Sequence, residues 1–298
     1  MPENDHALLA EMRQHLTSQL LSAEEEAYQT TLAAKNAQYA RPSAPLNFDE
    51  HLGRVLSIER TARGALIRSE KGALQLSYLL PDLVQVRVRR DDQFGPLFPP
   101  GVAVSETNWP EVEPTALEDP AAIVVGAGNL AVQIGRAASQ FALFAPDGTP
   151  VIQNAEPGFS WSGEAVRWSR YLPPHESAHG LGQRPYGLNL RGQTWHLWNQ
   201  DTLLYARGET PSYMSIPFYL GFQEKYAVGI LWDNPARGLV DLGHSQPEVM
   251  HFQAESGEVC FYVMLGITPA LVLDRYTALT GRPALLPLWG VGLSSVPF

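Results

Sequence analysis

Leu83-Val-Gln-Val-Arg-Val-Arg-Arg90 alternates strictly, with Val84, Val86 and Val88 on one side and Gln85, Arg87 and Arg89 on the other. Strand side chains point to opposite faces at period two, whereas a helix repeats every 3.6 residues, so this run predicts a β-strand. The polar side predicts that it is half-exposed. Similar runs occur at residues 55–58, 73–78, 131–134, 141–144, 165–170, 226–232 and 259–265, with Gly, Pro, Asn or Asp between them. Many short strands with turn signals point to a mainly β chain folded as an antiparallel β-sandwich. One hairpin is explicit: Ala145-Pro-Asp-Gly-Thr-Pro150 places turn-forming residues between two apolar runs.

Outside this region the texture changes. Over residues 6–40, Leu8, Leu9, Met12, Leu16, Leu20, Leu21 and Tyr28 follow a helical spacing, which predicts an N-terminal helical extension. Arg41-Pro-Ser-Ala-Pro45 ends it, because proline lacks an N–H and restricts its predecessor. Residues 94–120 are proline-rich and do not alternate, so a long surface loop is expected there. Near the other end, Thr268 as N-cap, Pro269 at the first helical position and Gly281 after the last turn predict a C-terminal helix. The expected division is a helical extension and proline linker over 1–45, a sandwich over 46–267, and a helix with a following linker over 268–298.

Composition narrows the partners. The chain has 298 residues, 45% of them hydrophobic and 17% charged, enough for a large core. With 21 basic and 31 acidic residues the net charge is -10, which repels phosphates and so disfavours nucleic acid and anionic membranes. A neutral polar ligand fits better. The lone cysteine, Cys260, sits in an apolar run and reads as a core residue. The first residues lack a basic leader pattern, and no apolar run nears the roughly 20 residues that span a bilayer, so a cytoplasmic protein is expected.

Two motif matches have the wrong surroundings. Gly126-Ala-Gly-Asn-Leu-Ala131 fits a dinucleotide fingerprint, with Asp147 at about the distance of a ribose acid, but the residues after it alternate as a strand where that site needs a helix. His175-Glu-Ser-Ala-His179 fits a zinc-protease motif, which works on a helix that stacks both imidazoles on one face. Pro173-Pro174 before it and Gly180-Leu-Gly182 after it leave barely one turn, so a loop histidine pair is expected. No cofactor or metal is expected, and no nucleophile elbow or phosphate loop is present in the sequence. Asp233, between a strand and Asn234-Pro235, reads as a turn residue.

Glycines, aromatics, amides and carboxylates crowd between His179 and Phe222. Around Asp201 stand Trp195, His196, Trp198, Asn199 and Tyr205, which offer flat faces and hydrogen-bonding groups suited to a pyranose ring. An equally good reading makes Trp195 and Trp198 core residues and Asp201 a turn cap.

The order Gly180-Leu-Gly-Gln183, Leu188-Asn-Leu-Arg-Gly192, Trp198-Asn-Gln-Asp201 and Ser215-Ile-Pro-Phe218 resembles the N-terminal, galactose-mutarotase-like β-sandwich (supersandwich) of the α-glucosidases of glycoside hydrolase family 31. The resemblance covers about residues 46–292 and is densest after Gly180, although His179 and Gln183 replace the Tyr and Glu of the family's Tyr-Gly-Leu-Gly-Glu element. It implies that Asp201, with Trp198, Asn199 and Thr202 on the same loop, borders a sugar pocket and hydrogen-bonds a glucosyl hydroxyl without acting as nucleophile or acid. The family's catalytic aspartates, which belong to a (β/α)8 barrel, have no counterparts here. Two carboxylates flanking the bond are needed for hydrolysis, so no catalytic residue is assigned and independent turnover is not expected.

The expected role is therefore a non-catalytic N-terminal domain of an α-glucosidase, truncated before its barrel, which buttresses that barrel and walls its α-glucoside pocket. A stand-alone carbohydrate-binding module is the alternative. An aldose mutarotase or epimerase is another, with His196 and Asp201 as its acid and base. Leu286, Leu288, Trp289 and Phe298 would form an apolar surface without the barrel, from which self-association is expected.

Overall fold

The computed structural model describes residues 46–95, 103–105, 108–201 and 207–287, together with Ala27 and Thr30, which are helical. The rest of the helical pattern over 6–40, and Thr202, Tyr205, Leu288, Trp289 and Phe298, lie outside the described residues. In chain order come β1 (Glu50–His51), β2 (Val55–Thr61), β3 (Gly64–Ser69), β4 (Gly72–Leu80) and β5 (Leu83–Arg89). Then follow β6 (Thr115–Glu118), β7 (Ala122–Gly126), β8 (Ala131–Gly135), β9 (Phe141–Phe144), β10 (Pro150–Ser162) and β11 (Ala165–Tyr171). The remainder are β12 (Ser177–Gly182), β13 (Thr194–Leu197), β14 (Ser215–Phe222), β15 (Ala227–Trp232), β16 (Gly238–Leu242), β17 (Val249–Ala254), β18 (Val259–Gly266) and the helix α1 (Pro269–Thr280).

These strands form two antiparallel sheets. The 10-stranded sheet runs β13-β16-β17-β11-β10-β9-β8-β7-β6 with β1 added beside β10, and the 8-stranded sheet runs β12-β14-β15-β18-β5-β4-β3-β2. They face each other across an aromatic core in which Trp168 of β11 stacks on Phe261 of β18 at 3.8 Å and 8°. Phe252 of β17 and Trp232 of β15 extend the stack at 5.4 Å. Such flat contacts between inner faces are how two sheets close a dry core. The mainly β sandwich with a C-terminal helix is as the sequence predicts. The hairpin at Asp147-Gly148 is also found: Asp147 Oδ1 accepts from the Thr149 amide at 3.0 Å, and Gly148 has φ +79°.

Strand β5 corrects its own pattern. Gln85 and Arg87 are 1% and 3% exposed, so both faces of the strand are buried. Outside the 8-stranded sheet lies further cover: Trp109 and the α1 residues Val272 and Leu279 pack with Leu83, Phe218 and Tyr262, and the Phe94 ring centre lies 5.3 Å from the Arg87 guanidinium carbon. Under this cover Gln85 Nε2 donates to the Tyr262 hydroxyl at 2.7 Å and Arg87 pairs with Glu258 at 2.8 Å. Alternation reports polarity, and here polar side chains bond one another beneath this cover. Arg275 fixes that helix by a forked pair to Asp82 at 2.8 and 3.0 Å. Thr268 caps it through Oγ1, and Gly281 follows with φ 94°.

The described residues between 94 and 120 are likewise more than a surface loop. Trp109 is buried, Arg63 donates to its carbonyl at 2.8 Å, and β6 pairs with β7 at the sheet edge. The dinucleotide-like glycines are a hairpin turn between β7 and β8, over which the Tyr78 hydroxyl donates to the carbonyls of Val125 and Leu130 at 2.8 and 3.0 Å.

Candidate sugar-facing loop

The site begins with the backbone of Gly180-Leu181-Gly182, whose φ values are 92°, 63° and 84°. A Cβ on Gly180 would lie 2.4 Å from the Phe218 carbonyl oxygen, and one on Gly182 would lie 2.3 Å from that of Met214. Only glycine tolerates both the left-handed conformation and this approach. The pairing of β12 with β14 therefore bulges here and brings the chain around Gln183 against the entry to β14.

Strand β13 lies at the edge of the 10-stranded sheet and β14 belongs to the 8-stranded one, so the connection between them bridges the sandwich. Its outgoing and returning legs are cross-linked. Asn199 and Ser212 form a parallel bridge, the Gln200 amide donates to the Ser212 carbonyl at 3.0 Å, and Asn199 Oδ1 accepts from the Ser215 amide at 2.6 Å.

The two tryptophans divide between the readings open in the sequence. Trp195 is 1% exposed and meets Tyr186 edge-on at 5.8 Å, which makes it a core residue. Trp198 is 44% exposed, with the Arg237 guanidinium 5.7 Å from its ring centre. Beside it a cavity of about 300 Å³ is lined by Asn199, Ser215, Pro217, Asn234, Pro235 and neighbouring residues. Asp201 is exposed and is not among the residues that line this cavity. The opposite wall, from the turn after β15, is invisible in local sequence because tertiary folding alone brings it there.

Other candidates separate from the loop. His196 is half-buried; burial first, then the charges of Arg237 and Arg184, push its imidazole below the ordinary value, so it is neutral at pH 7. No hydrogen bond or ion pair joins it to Asp201 among the described residues.

His179 is a strand residue of β12, correcting the loop pair; its Nε2 lies 2.9 Å from Ser177 Oγ and its ring packs on Phe222. Glu176, between the two histidines, is buried against Arg170 and the Tyr219 hydroxyl. His175 lies in the turn before β12 and His179 within the strand, so no helix stacks the two imidazoles, and no cluster of metal-binding side chains is present among the described residues. Asp233 is buried after β15, where its amide donates to the Cys260 carbonyl at 2.8 Å, while Asn234 forms the turn contacts through Oδ1 to the Ala236 amide.

Known proteins share this fold. The model of the glycosyl hydrolase 31 N-terminal galactose mutarotase-like domain matches residues 73–241. The chain belongs to this family. Alpha-glucosidase 2 of Bacillus thermoamyloliquefaciens is 34% identical over 135 residues, which cover 45% of this chain and 17% of that protein. The alpha-xylosidase XylQ of Lactiplantibacillus pentosus is 35% identical over 118 residues, 40% of this chain and 15% of that one. A Flavobacterium johnsoniae GH31 dextranase complexed with glucose superposes with a TM-score of 0.75 at 25% identity, covering 82% of this chain and 30% of the dextranase. The chain thus spans less than a fifth of the curated relatives it matches, and the shared part is the family's N-terminal domain. Relatives named as an alpha-glucosidase and as an alpha-xylosidase both match this part of the chain.

Proposed function

We propose that this chain is the non-catalytic N-terminal sandwich of a larger α-glucosidase, and that its loop over residues 198–201 walls the sugar pocket. The observation that carries the reading is the contrast within that loop. Trp198, Asn199 and Asp201 face solvent on the outgoing one of two cross-linked legs, while Trp195 anchors the preceding strand in the core. A rigid base under an exposed ring, amide and carboxylate is suited to holding a sugar. Asp201 would accept hydrogen bonds from glucosyl hydroxyls, and Trp198 would stack on a ring face. The catalytic carboxylates would come from the barrel.

The barrel is the proposed partner, and exposed apolar side chains support a docking surface. Ile267, Leu271, Leu273, Leu285 and Leu286 are all exposed on or beside α1. In this reading the sandwich over 46–267 is followed by a linking segment over 268–298. Self-association through the same surface is its counterpart in the isolated chain.

The test is to incubate the purified chain with maltose and an aryl α-glucoside. No turnover is expected; turnover that disappears in Asp201→Ala would overturn the non-catalytic reading. The groove beside Trp198 favours a second reading, a carbohydrate-binding module, for which saturable sugar binding lost in Trp198→Ala is the distinguishing result.

A further inference from the structure

We propose that Arg184 is the positioning residue of the loop that presents Trp198, Asn199 and Asp201, holding its two legs together through the planar fork of the guanidinium. Arg184 follows the Gly180-Leu181-Gly182 bulge, which carries it to the base of the loop. Its Nη2 donates to the His196 carbonyl at 3.1 Å on the outgoing side and to Ser215 Oγ at 2.9 Å on the returning side. Its Nη1 donates to Ser212 Oγ at 3.1 Å. Ser212 in turn donates to the Gln183 carbonyl at 3.0 Å, so the clamp is tied back to the residue before Arg184. Behind it the guanidinium carbon lies 5.4 Å from the centre of the Trp195 ring.

A salt bridge does not explain this arginine. No carboxylate stands within ion-pair distance of it among the described residues, and its Nε is buried without an acceptor. Burial alone pulls its pKa down, to about 10, which still leaves it charged at neutral pH. A buried cation without a counter-ion is costly, and what it gains here are charge-assisted bonds to three acceptors on two chain segments. A lysine ammonium is a point charge on a flexible stem and cannot reproduce that fork or the stacking on Trp195. The loop residues that would face sugar are thus aimed by a residue that would not touch it.

The sugar-facing role of the loop rests on the reading above, but the clamp can be tested without sugar. Amide hydrogen exchange would be followed in peptides covering 196–201 and 210–215, with β15 as internal reference, in wild type, Arg184→Lys and Arg184→Ala. Both variants should exchange roughly ten- to a hundredfold faster in the two legs, the scale set by losing hydrogen bonds from a charged donor, with β15 unchanged. Millimolar methylguanidinium should restore protection to Arg184→Ala, and methylammonium should not. Wild-type protection in Arg184→Lys, equal rescue by methylammonium, or loss of β15 protection in both variants would overturn the proposal. Titration of the wild type with methyl α-glucoside separates the two readings. Absence of binding removes the sugar-facing role, and the exchange experiment alone still decides whether Arg184 positions the legs.

Discussion

Arg170 and Glu176 form an ion pair with side chains 1% and 0% exposed, at the point where the chain leaves β11 in one sheet for β12 in the other. Gln223 Nε2 donates to Glu176 at 2.8 Å, and the Tyr219 hydroxyl joins the same carboxylate. Burial pushes the Glu176 carboxyl up, but the charge of Arg170 and the bonds from Arg170, Tyr219 and Gln223 outweigh it and leave the group below its ordinary value. The pair pins the crossover between the layers.

Breaking one side of such a pair leaves a buried charge without its partner. Glu176→Gln should therefore lower unfolding stability by about 3–5 kcal/mol, whereas Arg170→Met combined with Glu176→Leu should cost much less. Denaturant unfolding of the three proteins gives both values. A Glu176→Gln loss below about 1 kcal/mol would show that the pair contributes little.

Asp233 gives stability a pH dependence of opposite sign to the usual carboxylate. Burial first, then the charge of Glu258, push its pKa up to about 6, against the pull of Arg87 and Tyr262. A free aspartate titrates near 4, so the folded protein holds this proton more tightly than the unfolded chain. The contribution is fully present below about pH 4 and is lost as pH rises through about 6. Asp233→Asn should remove a slope of roughly 2–3 kcal/mol across that window. Matching wild-type and Asp233→Asn stability profiles between pH 4 and 7 would contradict the assignment.

The two tryptophans near the loop should behave as different kinds of residue. Trp195→Ala removes a core ring and should cost about 3–5 kcal/mol. Trp198→Ala removes a half-exposed ring and should change stability by under about 1 kcal/mol while weakening any sugar binding. Thermal unfolding and a sugar titration on both variants check the separation.

Gly182→Ala should disturb the loop from a distance. The new methyl would meet the Met214 carbonyl oxygen at 2.3 Å on a backbone with φ 84°, and the clash is with main chain that cannot swing away. A loss of roughly 1–3 kcal/mol is expected. Denaturation midpoints decide it, and an unchanged midpoint would mean that β12 and β14 separate without cost.

The sequence by itself determined the material of this protein. Period-two runs, the Asp147-Gly148 turn, and the Thr268-Pro269 and Gly281 signals around α1 are local chemistry, set by side-chain alternation, allowed φ and missing N–H groups. It also supplied the Trp198 to Asp201 loop, through the order of its motifs. Only the tertiary structure decided which face of β5 is dry, because Trp109 and α1 pack with its Leu83, and the Phe94 ring and Gly95 carbonyl come to lie against Arg87. The same holds for the split between Trp195 and Trp198, three residues apart with similar neighbours. Burial is a property of what packs on a side chain, and neither the roof of a sheet nor the partners of Arg170 and Arg184 are written in the residues beside them.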